Sequence, residues 1–243
     1  MKLIKDIMYG IYDSHKLDIY IPEDDKITDV LIYFHGGGMV RGDKTSGINY
    51  EYLVNAGIII VSANYRMYPE AKFPDFIEDA AMVVNWVREN GSKYAKVGKI
   101  FVGGSSAGAY LTAMLAYAPQ YLGAYGIKTT DIHGYIINSA QMTTHFNVLK
   151  ERGMNSSRII VDEAAPVYYL TENTEFPNAL VVVSDNDRAC RLEQNLMFMK
   201  TASVFGCPEE KMIYKLMVGY GHCKYDRTEE FSDIILDYMK TIG

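Results

Sequence analysis

Short apolar runs recur along the chain, and most of them end in glycine or polar residues. Val30-Leu31-Ile32-Tyr33-Phe34 is apolar throughout, and so is Ala179-Leu180-Val181-Val182-Val183 before Ser184. Uninterrupted runs of this length predict strands buried on both faces rather than strands with one wet side. Gly57–Ala63, Lys99–Val102, Ile132–Asn138 and Lys211–Met217 read as further strands, and Ile4–Tyr12 with Leu17–Ile21 reads as an N-terminal hairpin. Between them, apolar positions at helical spacing predict helices over Gly47–Ala56, Asp75–Asn90, Arg188–Phe205 and Thr228–Met239. Alternating strands and helices imply an α/β fold, a mainly parallel sheet covered on both faces, with functional loops at the strand C-terminal ends. No repeat or low-complexity linker interrupts the pattern, so residues 1–243 read as one domain. The stretch Ser139–Phe176 is too long for a plain connection. It carries Met142, His145, Phe146, Met154 and Arg158-Ile159-Ile160-Val161, and it reads either as a roof over a site or as an excursion packed on the sheet edge.

Two of the strands end in motifs that carry chemistry. Lys99–Val102 runs into Gly103-Gly104-Ser105-Ser106-Ala107-Gly108, and a helix-like segment follows from Ala109. A Gly-x-Ser-x-Gly between strand and helix forces the central serine into a strained conformation that lifts its hydroxyl out of the sheet. Small neighbours are needed there, and Gly104 and Gly108 supply them. The strand Val30–Phe34 ends in His35-Gly36-Gly37-Gly38, a loop whose backbone can approach a ligand closely. Inward N–H groups on such a loop stabilise a developing oxyanion by about 3–4 kcal/mol per donor. Gly37 and Gly38 are candidate donors, with Ala107 after the serine as a third. A phosphate-binding role fails on spacing. Arg41 stands where a dinucleotide loop needs its last glycine, and no Gly-Lys-Ser/Thr follows.

A serine nucleophile requires a base and a carboxylate that orients it; the elbow Gly104–Gly108 resembles that of the α/β-hydrolases, which implies the chain order Ser, Asp or Glu, His. Of the five histidines, His133, His145 and His222 follow Ser106. His133 sits at a strand entrance, which suits a structural role, and for His145 a substrate contact is open but unforced. His222 lies in Val218-Gly219-Tyr220-Gly221-His222-Cys223, read as a loop between the last strand and the last helix. That is where the resemblance implies the base. The acid should follow Ala179–Ser184, where Asp185 and Asp187 both stand.

Taken together, His35–Gly38, Asn64–Pro74 with Asp79, and Gly104–Gly108 resemble the hormone-sensitive-lipase branch of the α/β-hydrolases. Gly38–Lys44 also resembles the small acetyl esterases and arylformamidases, with Met39 where those enzymes usually carry an aromatic. The resemblance implies an α/β-hydrolase fold and favours Asp187 over Asp185, because the family places its acid just before the next helix. It implies a bracing role for Asp79 on the Tyr65–Pro74 loop. The family often carries cap material at its N-terminus, whereas the residues before Val30 here read as sheet. No large N-terminal cap is therefore expected.

Composition narrows the rest. An apolar content of 49% with 22% charged residues suits a globular core, and a net charge of −6 argues against nucleic acid as a partner. No apolar window approaches the ~18 residues of a membrane span, and Met1–Gly10 lacks the apolar core of a signal peptide. Cys190, Cys207 and Cys223 form no paired motif, so a reducing cytoplasm is expected. Twenty tyrosines are scattered enough for ordinary packing. The expectation is a serine carboxylic-ester hydrolase of small, short-acyl esters, with Ser106, His222 and Asp187 as its triad. No metal or organic cofactor is called for, and the oligomeric state is left open. An arylformamidase-like amide hydrolase is the alternative enzyme, and a ligand-binding protein on an inactive hydrolase scaffold is the alternative of another class.

Overall fold

A computed structural model describes residues 1–23 and 26–242. Its strands are β1 (Lys2–Met8), β2 (Lys16–Ile21), β3 (Thr28–Phe34), β4 (Ile59–Ala63), β5 (Val97–Ser105), β6 (Gly134–Asn138), β7 (Ala179–Asn186) and β8 (Met212–Gly221). The helices are α1 (Glu51–Asn55), α2 (Asp75–Asn90), α3 (Ala107–Tyr117), α4 (Pro119–Gly123), α5 (Phe146–Glu151), α6 (Arg191–Val204) and α7 (Glu229–Thr241). All eight strands join one sheet in the order β1-β2-β4-β3-β5-β6-β7-β8. β2 pairs antiparallel with β1 and with β4, and every pairing from β4 to β8 is parallel. The α/β architecture and the mainly parallel sheet expected from the apolar runs are what the chain adopts.

Continuous apolar runs find a use on both faces. Ile32, Phe34, Val102, Ile137 and Val181 pack toward α2, α3 and α6 through Phe76, Val83, Leu111, Met114 and Phe198. Their sequence neighbours Leu31, Tyr33, Phe101, Ile136 and Val182 point the other way, onto Leu53 and Val54 of α1 and Phe231, Ile235 and Met239 of α7. Each such side chain contributes about 1.5–3 kcal/mol on burial. α3 is buried along its whole length, so the segment that follows Ser106 is held from every side.

Several boundaries depart from the sequence expectation. The helix expected over Gly47–Ala56 is a 3-10 segment, Lys44–Tyr50, followed by the short α1. Gly47 sits where a Cβ would lie 2.6 Å from Ser62 Cβ, and this close approach leaves no room for an ordinary helical side chain there. α6 begins at Arg191 rather than Arg188, because Cys190 adopts a left-handed conformation (φ 62°) immediately before it.

Asp79, on α2, is wholly buried and gathers the loop after β4. It accepts the Arg66 N–H at 2.8 Å and the Arg66 guanidinium Nη2 at 2.7 Å, and His15 Nε2 lies 3.1 Å away. The loop Asn64–Pro74 is thereby tied to α2 and to the β1–β2 turn. Removing one partner of a buried ion pair leaves the other charge stranded, at a cost of about 3–5 kcal/mol. Arg66 keeps some solvent contact, so Asp79→Ala should lower the unfolding free energy in urea by about 3 kcal/mol. A loss below about 1 kcal/mol would show that the cluster contributes little.

Candidate active site

Ser106 joins the end of β5 to the start of α3 with φ 57° and ψ −111°, a region that residues with a side chain rarely occupy. Contacts around it impose this conformation. A Cβ on Gly108 would lie 1.8 Å from the Phe34 carbonyl oxygen, and one on Gly104 would lie 2.4 Å from the Gly108 carbonyl carbon. The first turn of α3 thus rests directly on the end of β3, and the chain must turn sharply to reach it. The Ser106 N–H donates to the Asn138 carbonyl at 2.9 Å, which ties the turn to β6.

The glycine loop leaves β3 beside this turn. A Cβ on Gly36 would stand 3.4 Å from Ser106 Cβ, so the loop runs against the serine. Gly37 (φ 119°) and Gly38 (φ 68°) are left-handed, and both line the cleft at Ser106. Among the described residues, no acceptor in the protein takes the N–H of Gly37 or Gly38. Ala107, the first residue of α3, has no intrahelical acceptor for its own N–H. His35 is buried and holds the loop from below. Its Nδ1 donates to the Gly36 carbonyl at 2.8 Å, and its ring stacks on Tyr65 with centroids 4.6 Å apart. Burial pulls the His35 imidazole below its ordinary range, which keeps it neutral.

His222 brings the two halves of the site together. Its Nε2 lies 2.8 Å from Ser106 Oγ and its Nδ1 lies 2.6 Å from Asp187 Oδ1. A carboxylate on Nδ1 places the proton there and leaves Nε2 to accept the serine hydroxyl. His222 lies in the turn between the last strand and the last helix, as expected, but that turn begins later than the glycines suggested. β8 continues to Gly221, so His222 is the first residue past the strand. Asp185 explains the extension, since β7 also runs on to Asn186 and Asp185 Oδ1 accepts the Gly219 N–H at 2.8 Å. Asp185 therefore faces the β8 backbone, and Asp187 faces the imidazole.

Four residues behind this arrangement carried no signal in the sequence. Asp187 Oδ2 accepts a hydrogen bond from the Ser139 hydroxyl, and Ser184 Oγ lies 3.3 Å from the same oxygen. Tyr225 Oη stands 3.3 Å from Ser139 Oγ and donates to Asn138 Oδ1 at 2.6 Å. Asn138 Nδ2 in turn donates to Ser105 Oγ at 2.9 Å and to Asp226 Oδ1 at 2.6 Å. A continuous polar chain thus runs from Asp226, behind the elbow, to Asp187. Burial pushes the Asp187 carboxyl upward, but the hydrogen bonds from His222 and Ser139 outweigh it and hold the group below the usual carboxylate range. For Asp226 burial wins over Ser105 and Asn138, and the carboxyl is pushed up to about 6. Burial also drives the Cys223 thiol well above its ordinary range, so the sulfur beside His222 stays a neutral thiol.

The cleft over Ser106 measures about 430 Å³ and is bounded by the glycine loop, Val40, Arg41, Asn49, Phe146 and Arg188. Of residues 139–176, only Phe146 lines it. The later part of that stretch packs down on α3 and α4, with Tyr110 donating to the Ala164 carbonyl and Gln120 to Tyr169. A larger cavity of about 820 Å³ lies elsewhere, between the end of α3 and residues 168–175. It shares no residue with the serine cleft. His145 does not reach the cleft. It is buried, caps α5 by accepting the Asn147 N–H at 3.2 Å, and burial pulls it well below its ordinary range. His133 meets the Ile242 carbonyl at 2.6 Å. Among the described residues, no cluster of His, Cys, Asp or Glu could hold a metal, and no helix is long and apolar enough to cross a membrane.

Comparison with known proteins places this geometry in a family. The BD-FAE family model matches residues 17–147, more than half of the chain, from β2 through the glycine loop and the elbow to α5. The chain belongs to the BD-FAE family. Esterase LipI of Mycobacterium tuberculosis is 41% identical over 97 residues, which cover 39% of this chain and 30% of that protein. The 3-O-acetylpapaveroxine carboxylesterase CXE2 of Papaver somniferum is 25% identical over 185 residues, 67% of this chain and 56% of that one. The chain thus spans little more than half the length of these curated relatives, or less. Among solved structures, the apo form of Thermogutta terrifontis esterase 2 superposes with a TM-score of 0.80 at 19% identity, covering 98% of this chain and 94% of that one. The fold of this BD-FAE member is that of the α/β-hydrolases.

The raised Asp226 carboxyl has a consequence for stability. Its pKa is higher in the folded chain than the ordinary 3.8, so the folded state holds the proton more tightly. A penalty for ionising it is absent below pH 4, accrues through pH 4–6 and is full above that window. Asp226→Asn keeps an acceptor for Asn138 and removes the charge. The variant should be more stable than the parent at pH 7.5, by on the order of 1–3 kcal/mol, with the gap closing toward pH 4. Thermal denaturation across this range would contradict the account if the parent gained on the variant as pH rose.

Proposed function

We propose that this BD-FAE member is a serine carboxylic-ester hydrolase acting on small, short-acyl esters. The observation that carries the reading is the unbroken chain from Ser106 Oγ to His222 at 2.8 Å and from His222 to Asp187 at 2.6 Å. Ser106 Oγ attacks the ester carbonyl carbon while its proton passes to His222 Nε2. The carbonyl oxygen takes up the electron pair and is held by the free N–H groups of Gly37, Gly38 and Ala107. Collapse expels the alcohol, which leaves with the proton from His222 and leaves the acyl group on Ser106. Water then attacks the acyl carbon, gives a proton to Nε2, and the acid departs as that proton returns to Ser106. Asp187 stabilises the imidazolium in both halves. The curated relatives named as esterases support the reaction type. Three free thiols suit a reducing compartment, and a cytoplasmic residence belongs to the same proposal.

Ser106→Ala should lower turnover of p-nitrophenyl acetate by several orders of magnitude, with a residue of rate from binding and the oxyanion donors. Asp187→Asn should also cut kcat steeply with the fold intact, while Asp185→Asn should leave it within a fewfold, because only Asp187 meets the imidazole. The reverse pattern would move the acid to Asp185. An N-formyl aromatic amine hydrolysed faster than an aryl acetate would turn the reading toward an amide hydrolase.

Acyl length gives a separate test. Phe146 sits over Gly38, with its ring edge 2.8 Å from where a Gly38 Cβ would be, so the cleft is walled close to the oxyanion donors. Each methylene that fits gains about 0.8 kcal/mol, but one that meets a wall gains nothing and brings strain. In kcat/KM, p-nitrophenyl acetate through butyrate should be favoured and octanoate disfavoured. A series peaking at octanoate or beyond would contradict the short pocket.

A further inference from the structure

Two arginines line the serine cleft with no carboxylate to hold them. Arg41 follows the glycine loop, Arg188 follows Asp187, and both are exposed and line the cleft. Among the described residues, neither guanidinium has an ion-pair partner, in a chain whose net charge is −6. Arg66 and Arg152, by contrast, each hold two carboxylates: Asp75 and Asp79, and Asp162 and Glu163.

The acidic groups of the cleft are engaged by hydrogen bonds within the protein, Asp43 at an exposed position. Asp43 accepts the Thr45 N–H and the Asn64 amide, both at 2.9 Å. Asp226 Oδ1 is taken by Asn138, and Asp187 by His222 and Ser139. Behind Arg188 lies Arg191, which is buried and donates to the Ser139 carbonyl at 2.9 Å. Burial lowers Arg191 to about 10, with Asp187 opposing, so it remains a cation at neutral pH. The cleft therefore carries two exposed arginines without an ion pair, while its carboxylates are taken up by hydrogen bonds within the protein.

We infer that the ester this site takes carries an anionic group, a carboxylate or a phosphate, bound by Arg41 and Arg188 beyond the scissile bond. The planar guanidinium fork matches either anion through two parallel N–H bonds. Unpaired cations at a cleft mouth also raise the local concentration of an anionic substrate. The inference rests on the hydrolase reading and adds the substrate class to it.

The test compares isosteric esters that differ only in charge. On the alcohol side, 3-carboxyphenyl acetate is set against 3-carbamoylphenyl acetate. On the acyl side, the mono-4-nitrophenyl ester of glutaric acid is set against its terminal amide, with spontaneous hydrolysis subtracted. In at least one pair, kcat/KM for the anion should exceed that for the amide by about tenfold, and the pair that shows it locates the anion. The ratio should fall toward one in Arg41→Gln/Arg188→Gln and be partly retained in Arg41→Lys/Arg188→Lys. It should also shrink as salt is raised from ~0.01 M to ~1 M, where the Debye length drops from ~30 Å to ~3 Å. A ratio at or below one in both pairs, with the neutral esters cleaved, overturns this inference and leaves the hydrolase reading standing. So does a preference that survives in the double glutamine variant. Failure to cleave any of the four esters would bring down the hydrolase reading and this inference with it.

Discussion

The contact on which the site depends is the seating of the first turn of α3 against the last carbonyl of β3. Gly108 meets the Phe34 carbonyl so closely that no side chain fits between them. A helix placed there can be reached from β5 only through a single strained residue, and that residue is Ser106. Strain of this kind costs about 1–3 kcal/mol and persists only where the surroundings over-determine it. Here they do, because α3 is buried along its whole length and both flanking strands are central in the sheet. The same contact brings Gly36 against Ser106, so nucleophile and glycine loop are positioned by one packing event.

The polar layer behind the elbow has a related logic. Asn138 ends β6 and Ser139 follows it, between the strand that delivers Ser106 and the strand that delivers Asp187. Their side chains carry hydrogen bonds both ways, to Ser105 and Asp226 on one side and to Asp187 on the other. A buried carboxylate needs donors to stay ionised, and Asp187 has them from His222 and Ser139. Ionised and fixed, it sets the tautomer of His222, which is what lets Nε2 face the serine.

Much of this was legible in the sequence, and the reasons differ from part to part. The doubly buried strands β3 and β7 were visible because their runs Val30–Phe34 and Ala179–Val183 lack any charged or strongly polar position. Ser106, Gly37, Gly38 and His222 stood out because a sharp turn or a close backbone approach demands glycine in a fixed pattern. Asp79 was legible only through family resemblance. Ser139, Asn138, Tyr225 and Asp226 were invisible, since they meet only after β6 and the β8–α7 turn are brought together, and none sits in a local motif. The extension of β8 was missed for a similar reason. Gly219 and Gly221 read as loop residues, and what keeps them in the strand is a long-range bond to Asp185.

The central claim is that Ser106 is a nucleophile activated by His222. The most direct measurement is intact-protein and peptide mass spectrometry after exposure to a fluorophosphonate, which phosphonylates an activated serine with loss of fluoride. The account predicts one adduct per chain, on Ser106, whose formation slows sharply in His222→Ala. An adduct on Ser105 or elsewhere, or labelling of Ser106 at the same rate without His222, would contradict it.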